Sequence, residues 1–561
     1  MTLRSPHMAR SFVCDWLLFS FAVYLSLASI GFCETAIQFS DVTSQTGIDF
    51  RHTDGSCGKY YIVEAMSAGL ALFDYDNDGD VDIYLLNGTA LCDSDLPAPT
   101  NALYRNDGNW RFTDVTKQAK IGGRGYSLGV AIGDYDNDGN PDVYVNNFGE
   151  NVLYRNRGDG TFEDVTKSAG VANGNRVGAG VSFLDIDADG DLDLYAANYI
   201  EFSRNKHVPR TQRGVPIYGS PIDYTFDADT LFRNNGDGTF TDISEQSGIS
   251  VKASPSMGMV CADYDSDGDT DIFIANDGQA NFLFQNNGAG KFREVGLIGG
   301  FAYDMNGKVH ASMGVDCADF DNDGHLDFHV TSFQGELASL YRNVSGLLLE
   351  DATNRLQAGL GTRLPVTWGN GFADFDNDGD RDIFIACGHL NDKLDLYDKT
   401  STYLTPNVVL EQRNGRFLDV SKHAGNGLAV RSSSRGAAFD DLDNDGDIDV
   451  VILNSRQAPT LLRNDSTTKK HWIQVQLIGT KANRDAVGSR VTVSAANGNQ
   501  TAEVHSGRGY QSHFGSRLHF GLGNHQRADQ IRIQWLGGDV DVLNNVHSGQ
   551  IITIREGSTK K

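Results

Sequence analysis

The sequence predicts an all-β protein, a seven-bladed β-propeller with a small C-terminal β-sandwich, and three observations predict it. The acidic nonapeptide DxDxDGxxD recurs seven times, starting at Asp74, Asp134, Asp185, Asp263, Asp319, Asp374 and Asp441. A glycine stands five residues before each, at Gly69, Gly129, Gly180, Gly258, Gly314, Gly369 and Gly436. The strand partner missing after the seventh repeat is found at the start of the chain, as FSDVT from Phe39. Repeats 51 to 78 residues apart, each with the signals of four short strands, specify a propeller blade.

Each repeat is legible strand by strand. Small residues at one position of every repeat suit inner strands crowded round an axis. After the acidic loop come DIYLLN, DVYVNN, DLYAAN and DIFIAN, rich in β-branched and aromatic residues and too short for helices. Hairpins such as LYRNDGNWRFTDVT at Leu103 and LYRNRGDGTFEDVT at Leu153 supply the third and fourth strands, with Asn, Asp and Gly at the turns. Pairing of the N-terminal strand with the last blade would close the ring and remove an exposed edge. Beyond a polar stretch at 465–470, alternating segments such as WIQVQL, RVTVSA, RLHFGL and QIRIQW suggest six or seven strands of a sandwich. The expected boundaries are 1–33 for a signal peptide, 34–466 for the propeller and 467–561 for the C-terminal domain.

The N-terminus carries Arg4 and Arg10 before an apolar run from Trp16 to Phe32, which reads as a secretory signal cleaved near Cys33. An uncleaved anchor is the competing reading, because the run is just long enough to span. After cleavage the chain is expected to be secreted, or periplasmic in a Gram-negative host, with no stable membrane insertion. Five of the seven cysteines then remain, and Cys57 with Cys92 is the expected bridge. A formal charge of −27 would repel a phosphate backbone, which excludes nucleic acid as a partner.

The acidic loops explain much of that charge. Aspartates at positions 0, 2, 4 and 8 with glycine at 5 gather carboxylates round one point, and hard oxygen donors select calcium. The expected ligands are Asp74, Asp76, Asp78 and Asp82; Asp134, Asp136, Asp138 and Asp142; Asp185, Asp187, Asp189 and Asp193; and Asp263, Asp265, Asp267 and Asp271. Asp319, Asp321, Asp323 and Asp327, Asp374, Asp376, Asp378 and Asp382, and Asp441, Asp443, Asp445 and Asp449 complete the set, for up to seven ions. An EF-hand would need glutamate at position 11, where this chain has Leu85, Val145, Ala196, Ile274, Val330, Ile385 and Ile452.

The loops and hairpins resemble FG-GAP or VCBS-type repeats, as in the propeller of integrin α subunits. The segment from His471 to Glu556, with HSGRGYQS, LHFGLG and IRIQWLGG, is similar to the ASPIC/UnbV domain. Together they resemble the cartilage acidic protein family. That resemblance implies a secreted calcium-binding propeller with matrix or adhesion roles in animal members, and it brings no catalytic residues with it.

The propeller face opposite the acidic loops collects the long insertions at 199–228, 388–406 and 88–100. It is also expected to gather Arg51, His52, Arg176, His310, Trp368, His389 and Arg435, which suit an extracellular glycan or an acidic protein loop. The alternative is a polysaccharide lyase or hydrolase in which His52, His310 or His389 takes a proton beside a uronate carboxylate. No GxSxG, HExxH or P-loop motif supports an enzyme class, so binding is the preferred reading.

Overall fold

The computed structural model describes residues 35–559 except 68, 94–97, 467–468 and 497. The signal peptide expected over 1–33, with Cys14 and Cys33, lies outside the described residues. Residues Thr35–Lys561 form one compact unit. No helix among the described residues is long and apolar enough to cross a membrane.

Five four-stranded antiparallel sheets and one eight-stranded sheet, in which two blades are joined by pairing of Arg176 with Gly149 and Val177 with Phe148, make seven four-stranded units that follow one another round a ring. Blade 1 is built from Leu70–Phe73, Asp82–Leu85, Ala102–Asn106 and Phe112–Asp114. The later inner strands are Tyr126–Gly133, Arg176–Leu184, Ser256–Ala262, Val315–Ala318, Thr367–Ala373 and Ser434–Asp440. Blade 7 takes its outer strand from the N-terminus, with Phe39 opposite Asn464 and Asp41 opposite Leu462. The repeated glycine is required by close approach: a Cβ on Gly129 would lie 2.1 Å from the carbonyl oxygen of Ala179 in the next blade. The fifth hairpin, whose sequence departs from the NxGxG turn, still pairs Tyr341 with Asp351 and Asn343 with Leu349.

The ring is stitched by the amide that ends each third strand. Asn106 donates through Nδ2 to the carbonyl of Leu442 in blade 7, 2.8 Å, and Asn156 to Tyr75 in blade 1, 2.8 Å. Asn234, Asn286, Asn343, Gln412 and Asn464 repeat the bond to Tyr135, Ile186, Tyr264, Phe320 and Phe375. Seven buried donors that each reach the preceding blade join blade 7 to blade 1 as firmly as any other pair. Asn343 and Asn464, which begin N-x-S sequons, are therefore buried and committed to the fold.

The C-terminal residues form two sheets, one with His471–Ile478 between Leu518–Gly523 and Gln550–Arg555, the other with Gly498–Glu503, Arg490–Ala495, Arg527–Gln534 and Val540–His547. Their shared core, including Val475, Val491, Phe520, Ile533 and Trp535, is continuous with Ala131, Tyr135 and Phe183 of the propeller. The polar stretch at 465–470 does not separate two bodies. The C-terminal sheets instead sit on the acidic-loop face, where Gln474 donates to Asp441 Oδ2, 2.8 Å, and the Asp134 amide donates to Asp485, 2.6 Å.

From this seat the segment His505–Phe514 enters the centre of the ring as a finger. Its backbone bonds to the inner strands: the Leu72 amide to His513 O at 3.0 Å, Val130 to Gln511 O at 3.2 Å, and Gly509 to Val315 O at 2.9 Å. Arg508 donates through Nε to Asp316, 2.5 Å, and the other oxygen of Asp316 accepts the Phe372 amide, 2.9 Å. Near the tip, the Tyr510 ring packs edge-on against Trp368 and its hydroxyl donates to Met66 O, 3.0 Å. The finger thus fills the axial channel that an empty ring of seven blades would leave.

Burial holds the finger's His513 neutral, its pKa lowered to about 3 chiefly by desolvation and then by Arg508. Because the unfolded value is near 6.5, its contribution to stability is fully present above that pH. It is lost as pH falls, by about 1.4 kcal/mol per pH unit down to the folded value. The stability of the native chain relative to His513→Leu should fall in that proportion between pH 6.5 and 4.5 in calcium-containing buffer. A difference that does not change with pH would show that His513 is not held neutral.

Candidate metal centres and candidate binding mouth

All seven acidic loops share one geometry. The position 0 carboxylate accepts the amides of positions 4 and 5, as Asp134 does from Asp138 at 3.0 Å and Gly139 at 2.7 Å. The position 8 carboxylate accepts the position 1 amide and an amide at the end of the third strand, as Asp142 does from Tyr135 and Asn156. The glycine at position 5 has φ between 91° and 97° throughout, a left-handed conformation that side chains rarely adopt. Carboxylates of Asp134, Asp136 and Asp142, and the equivalent trios of three later loops, come within 4.8 Å of one another, as do Asp74, Asp76 and Asp78.

At position 2 one carboxylate oxygen points inward without a donor in five loops, while the other meets a side chain in most: Trp110 on Asp443, Gln285 on Asp265, Arg342 on Asp321, Arg155 on Asp136 and Lys470 on Asp376. The Oδ1 atoms of Asp136, Asp187, Asp265, Asp321 and Asp443 are buried with no hydrogen-bond partner. Burial, with repulsion from neighbouring carboxylates, pushes Asp134, Asp185, Asp319 and Asp441 up to about 7, and Asp374 to about 8. A cluster of acids that resists ionisation, with inward oxygens that no donor satisfies, is chemically suited to a cation. The donor set is oxygen only.

The opposite mouth is shaped by the insertions. The hairpin Arg210–Gln212 with Val215–Ile217 leans toward the 388–406 insertion, where the Tyr218 amide donates to Asn391 Oδ1, 3.1 Å. Beneath lies a cavity of about 420 Å³. Met66, Met257, Met313 and Trp368 line it and belong to the apolar cluster that also contains the finger's Tyr510, which packs against Trp368. The disulfide Cys57–Cys92 joins the approach to blade 1 to the 88–100 insertion, while Cys261, Cys317 and Cys387 are buried thiols.

The residues expected at the mouth do not converge. Trp368 and His389 line the cavity. Arg435 is buried against Trp368, 4.1 Å from its ring centre, and donates to the carbonyls of Ala65, Ser433 and Ser434. His52 is buried, accepts the Arg456 amide at 3.2 Å, and has its pKa lowered to about 3 by burial. Arg51 is exposed and lines no part of the cavity, Arg176 pairs with Asp227 at 2.9 Å, and His310 lies 3.4 Å from Asp304. His389 is held neutral by burial, with Nδ1 accepting the Asn391 amide and Nε2 3.2 Å from Gln334. The strand-end asparagines also serve their own loops, as Asn87, Asn198 and Asn454 donate to Thr100, Ala228 and Ala458.

Sequence comparison agrees with this geometry. The FG-GAP-like repeat model matches residues 74–145, 134–196, 222–274, 263–330 and 374–452. The chain belongs to the FG-GAP-like repeat family. Residues 479–561 of this FG-GAP chain match the ASPIC and UnbV model. Human cartilage acidic protein 1 is 23% identical over 518 residues, covering 88% of this chain and 72% of the relative. The Xenopus tropicalis protein of that name is 24% identical over 522 residues, 87% of this chain and 73% of its own. Among solved structures, the BP39L lectin of Burkholderia pseudomallei aligns with a TM-score of 0.44 and 10% identity, covering 72% of this chain and 97% of the lectin. The exotype rhamnogalacturonan lyase YesX aligns at 0.37 and 13%, covering 72% and 62%.

Proposed function

We propose that this FG-GAP propeller is an exported, calcium-dependent binding module that receives a glycan or protein ligand at its insertion-bearing mouth. The observation that carries the reading is the cavity of about 420 Å³ between two insertions, lined by aromatic rings and amides. Export fits the Cys57–Cys92 disulfide and the apolar N-terminal run.

Calcium would be held by the carboxylates at positions 0, 2, 4 and 8, and when bound it supplies the positive charge that lets these buried acids ionise together. The chain's own residues do the rest. Positions 0 and 8 lock each loop to its strands through backbone amides, and the stitched ring then positions the mouth. The C-terminal sheets rest on the same loops, through Gln474 on Asp441 and Arg490 beside Asp263, 3.7 Å. Loop occupancy is in this way coupled to the seating of the finger, whose Tyr510 supports Trp368 in the mouth's lining.

Against an active site at this mouth, His52, His310 and His389 are dispersed, and both nitrogens of His389 are engaged. The test is a glycan and protein array probed with the mature chain in calcium and in chelator. Hits should require calcium and should be lost in Gln212→Trp, which places an indole across the entrance from an exposed position. Hits that survive Gln212→Trp would move the binding surface elsewhere.

A further inference from the structure

We infer that the group entering the mouth cavity is a protonated amine on an apolar stem, and not an acidic sugar. This rests on the reading of the mouth as the ligand site and names the chemistry it selects. The lining contains no lysine and no arginine. It does contain two carboxylates, Asp277 and Asp398, among Tyr199, Tyr218, Phe333, Trp368 and Tyr397.

The two carboxylates differ in their surroundings. Asp277 sits in the wall, where its Oδ2 accepts the Tyr199 hydroxyl at 2.7 Å, and no lysine or arginine pairs with it among the described residues. Burial raises its pKa to about 6 and the neighbouring Glu336 adds to this, with only the Tyr199 hydrogen bond opposing. Asp398 lies at the rim and accepts from Gln334 Nε2, 2.9 Å, and from Thr400.

The two buried or half-buried arginines nearest the cavity are committed elsewhere, and Lys393 at the rim lies over the Tyr60 ring, 5.5 Å from its centre. Arg456 pairs with Asp54 and with Asp392, 3.3 Å, and donates to the Tyr218 hydroxyl, 2.8 Å. Arg435 lies against the Trp368 ring with its donors on backbone carbonyls, and it does not line the cavity. What remains open to a ligand is a bowl of methionine and aromatic surface with an uncompensated carboxylate in its wall. An ammonium group entering it would gain Asp277 as a counter-ion and the ring faces as cation–π partners, while its stem covers the methionines. A uronate would meet two carboxylates and no lysine or arginine in the lining.

The test is calorimetric titration of the calcium-loaded chain with Nα-acetyl-lysine methylamide, its Nε-acetylated neutral counterpart, n-hexylamine, chitotriose and polygalacturonate. Both amines should bind, with the neutral counterpart at least tenfold weaker. Asp277→Asn keeps an oxygen for Tyr199 and should weaken amine binding at least tenfold, while Gln212→Trp should abolish it. Equal binding of the charged and neutral lysine probes overturns the inference. So does binding of either saccharide that Gln212→Trp removes and Asp277→Asn leaves intact, although the mouth would then stand as the ligand site. No binding by any probe, together with array hits indifferent to Gln212→Trp, overturns both the inference and the reading beneath it. Preference for n-hexylamine over the lysine probe would assign a free amine, and the reverse a protein lysine.

Discussion

Chelation should lower the melting temperature of the mature chain by about 15–20 °C. A ligand present at one hundred times its dissociation constant stabilises the native state by about 2.7 kcal/mol per site. Seven equivalent sites together contribute about 19 kcal/mol, and for a chain of this size each kcal/mol moves the midpoint by about 1 °C. The structural reason lies in the loops: inward oxygens such as Asp136 Oδ1 and Asp187 Oδ1 have no donor, and position 8 acids such as Asp142 and Asp193 are held well above the usual carboxylate range by burial. Without a cation the native state binds protons that the unfolded chain does not. The chelated protein should therefore become less stable as pH rises from about 4 to 8, a slope that calcium should suppress. Scanning calorimetry with and without chelator at pH 5, 6.5 and 8 measures both effects. A melt indifferent to chelator would leave the loops as turns.

Arg508→Ala is expected to be the most damaging single substitution outside the loops, at about 3–5 kcal/mol. It strips the one arginine paired with Asp316 among the described residues, and Asp316 is fully buried and also bonded to the Phe372 amide. It also removes the guanidinium from the Phe514 ring, 4.8 Å away. Tyr510→Ala should cost a similar amount through the cavity it leaves beside Trp368. The two are separable by ligand binding. Loss of Arg508 weakens the middle of the finger, whereas loss of Tyr510 removes the ring that supports Trp368 in the mouth's lining and should admit larger probes. If the folded Tyr510→Ala chain binds with unchanged size selectivity, the finger does not support the ligand cavity.

The ring was legible because its signals are local and repeated. An acidic loop and a glycine five positions earlier recur at a fixed offset, an asparagine closes the third strand in six repeats with Gln412 in its place in the sixth, and the leftover strand at Phe39 shows which blade it completes. The asparagines of LYRN and LFRN were visible as a pattern, yet their bond to the preceding blade depends on the ring being closed. The finger was not legible, because nothing in HSGRGYQSHF states which surface will enclose it. One signal did exist. Asp316 stands where the other inner strands carry Ala71, Ala131, Ser182, Val260, Gly371 and Ala438, and a lone charge at a channel position asks for a partner such as Arg508.

The mouth was half legible for the same reason. Trp368 and Arg435 occupy one position of adjacent blades, six residues before the loop, so their contact follows from the repeat. Arg51, Arg176 and His310 lie in or beside connections whose paths no local pattern fixes, and each is found away from the cavity. Tyr218 and Asp398, which do line it, come from insertions that fold only against one another.

The most direct measurement is calcium bound per chain, by elemental analysis of the mature protein after gel filtration in calcium and by titration calorimetry of the metal-stripped chain. The account predicts five to seven ions per chain, five being the loops whose position 2 oxygen is buried without a donor. One ion or none, bound by a chain that remains folded, would contradict it.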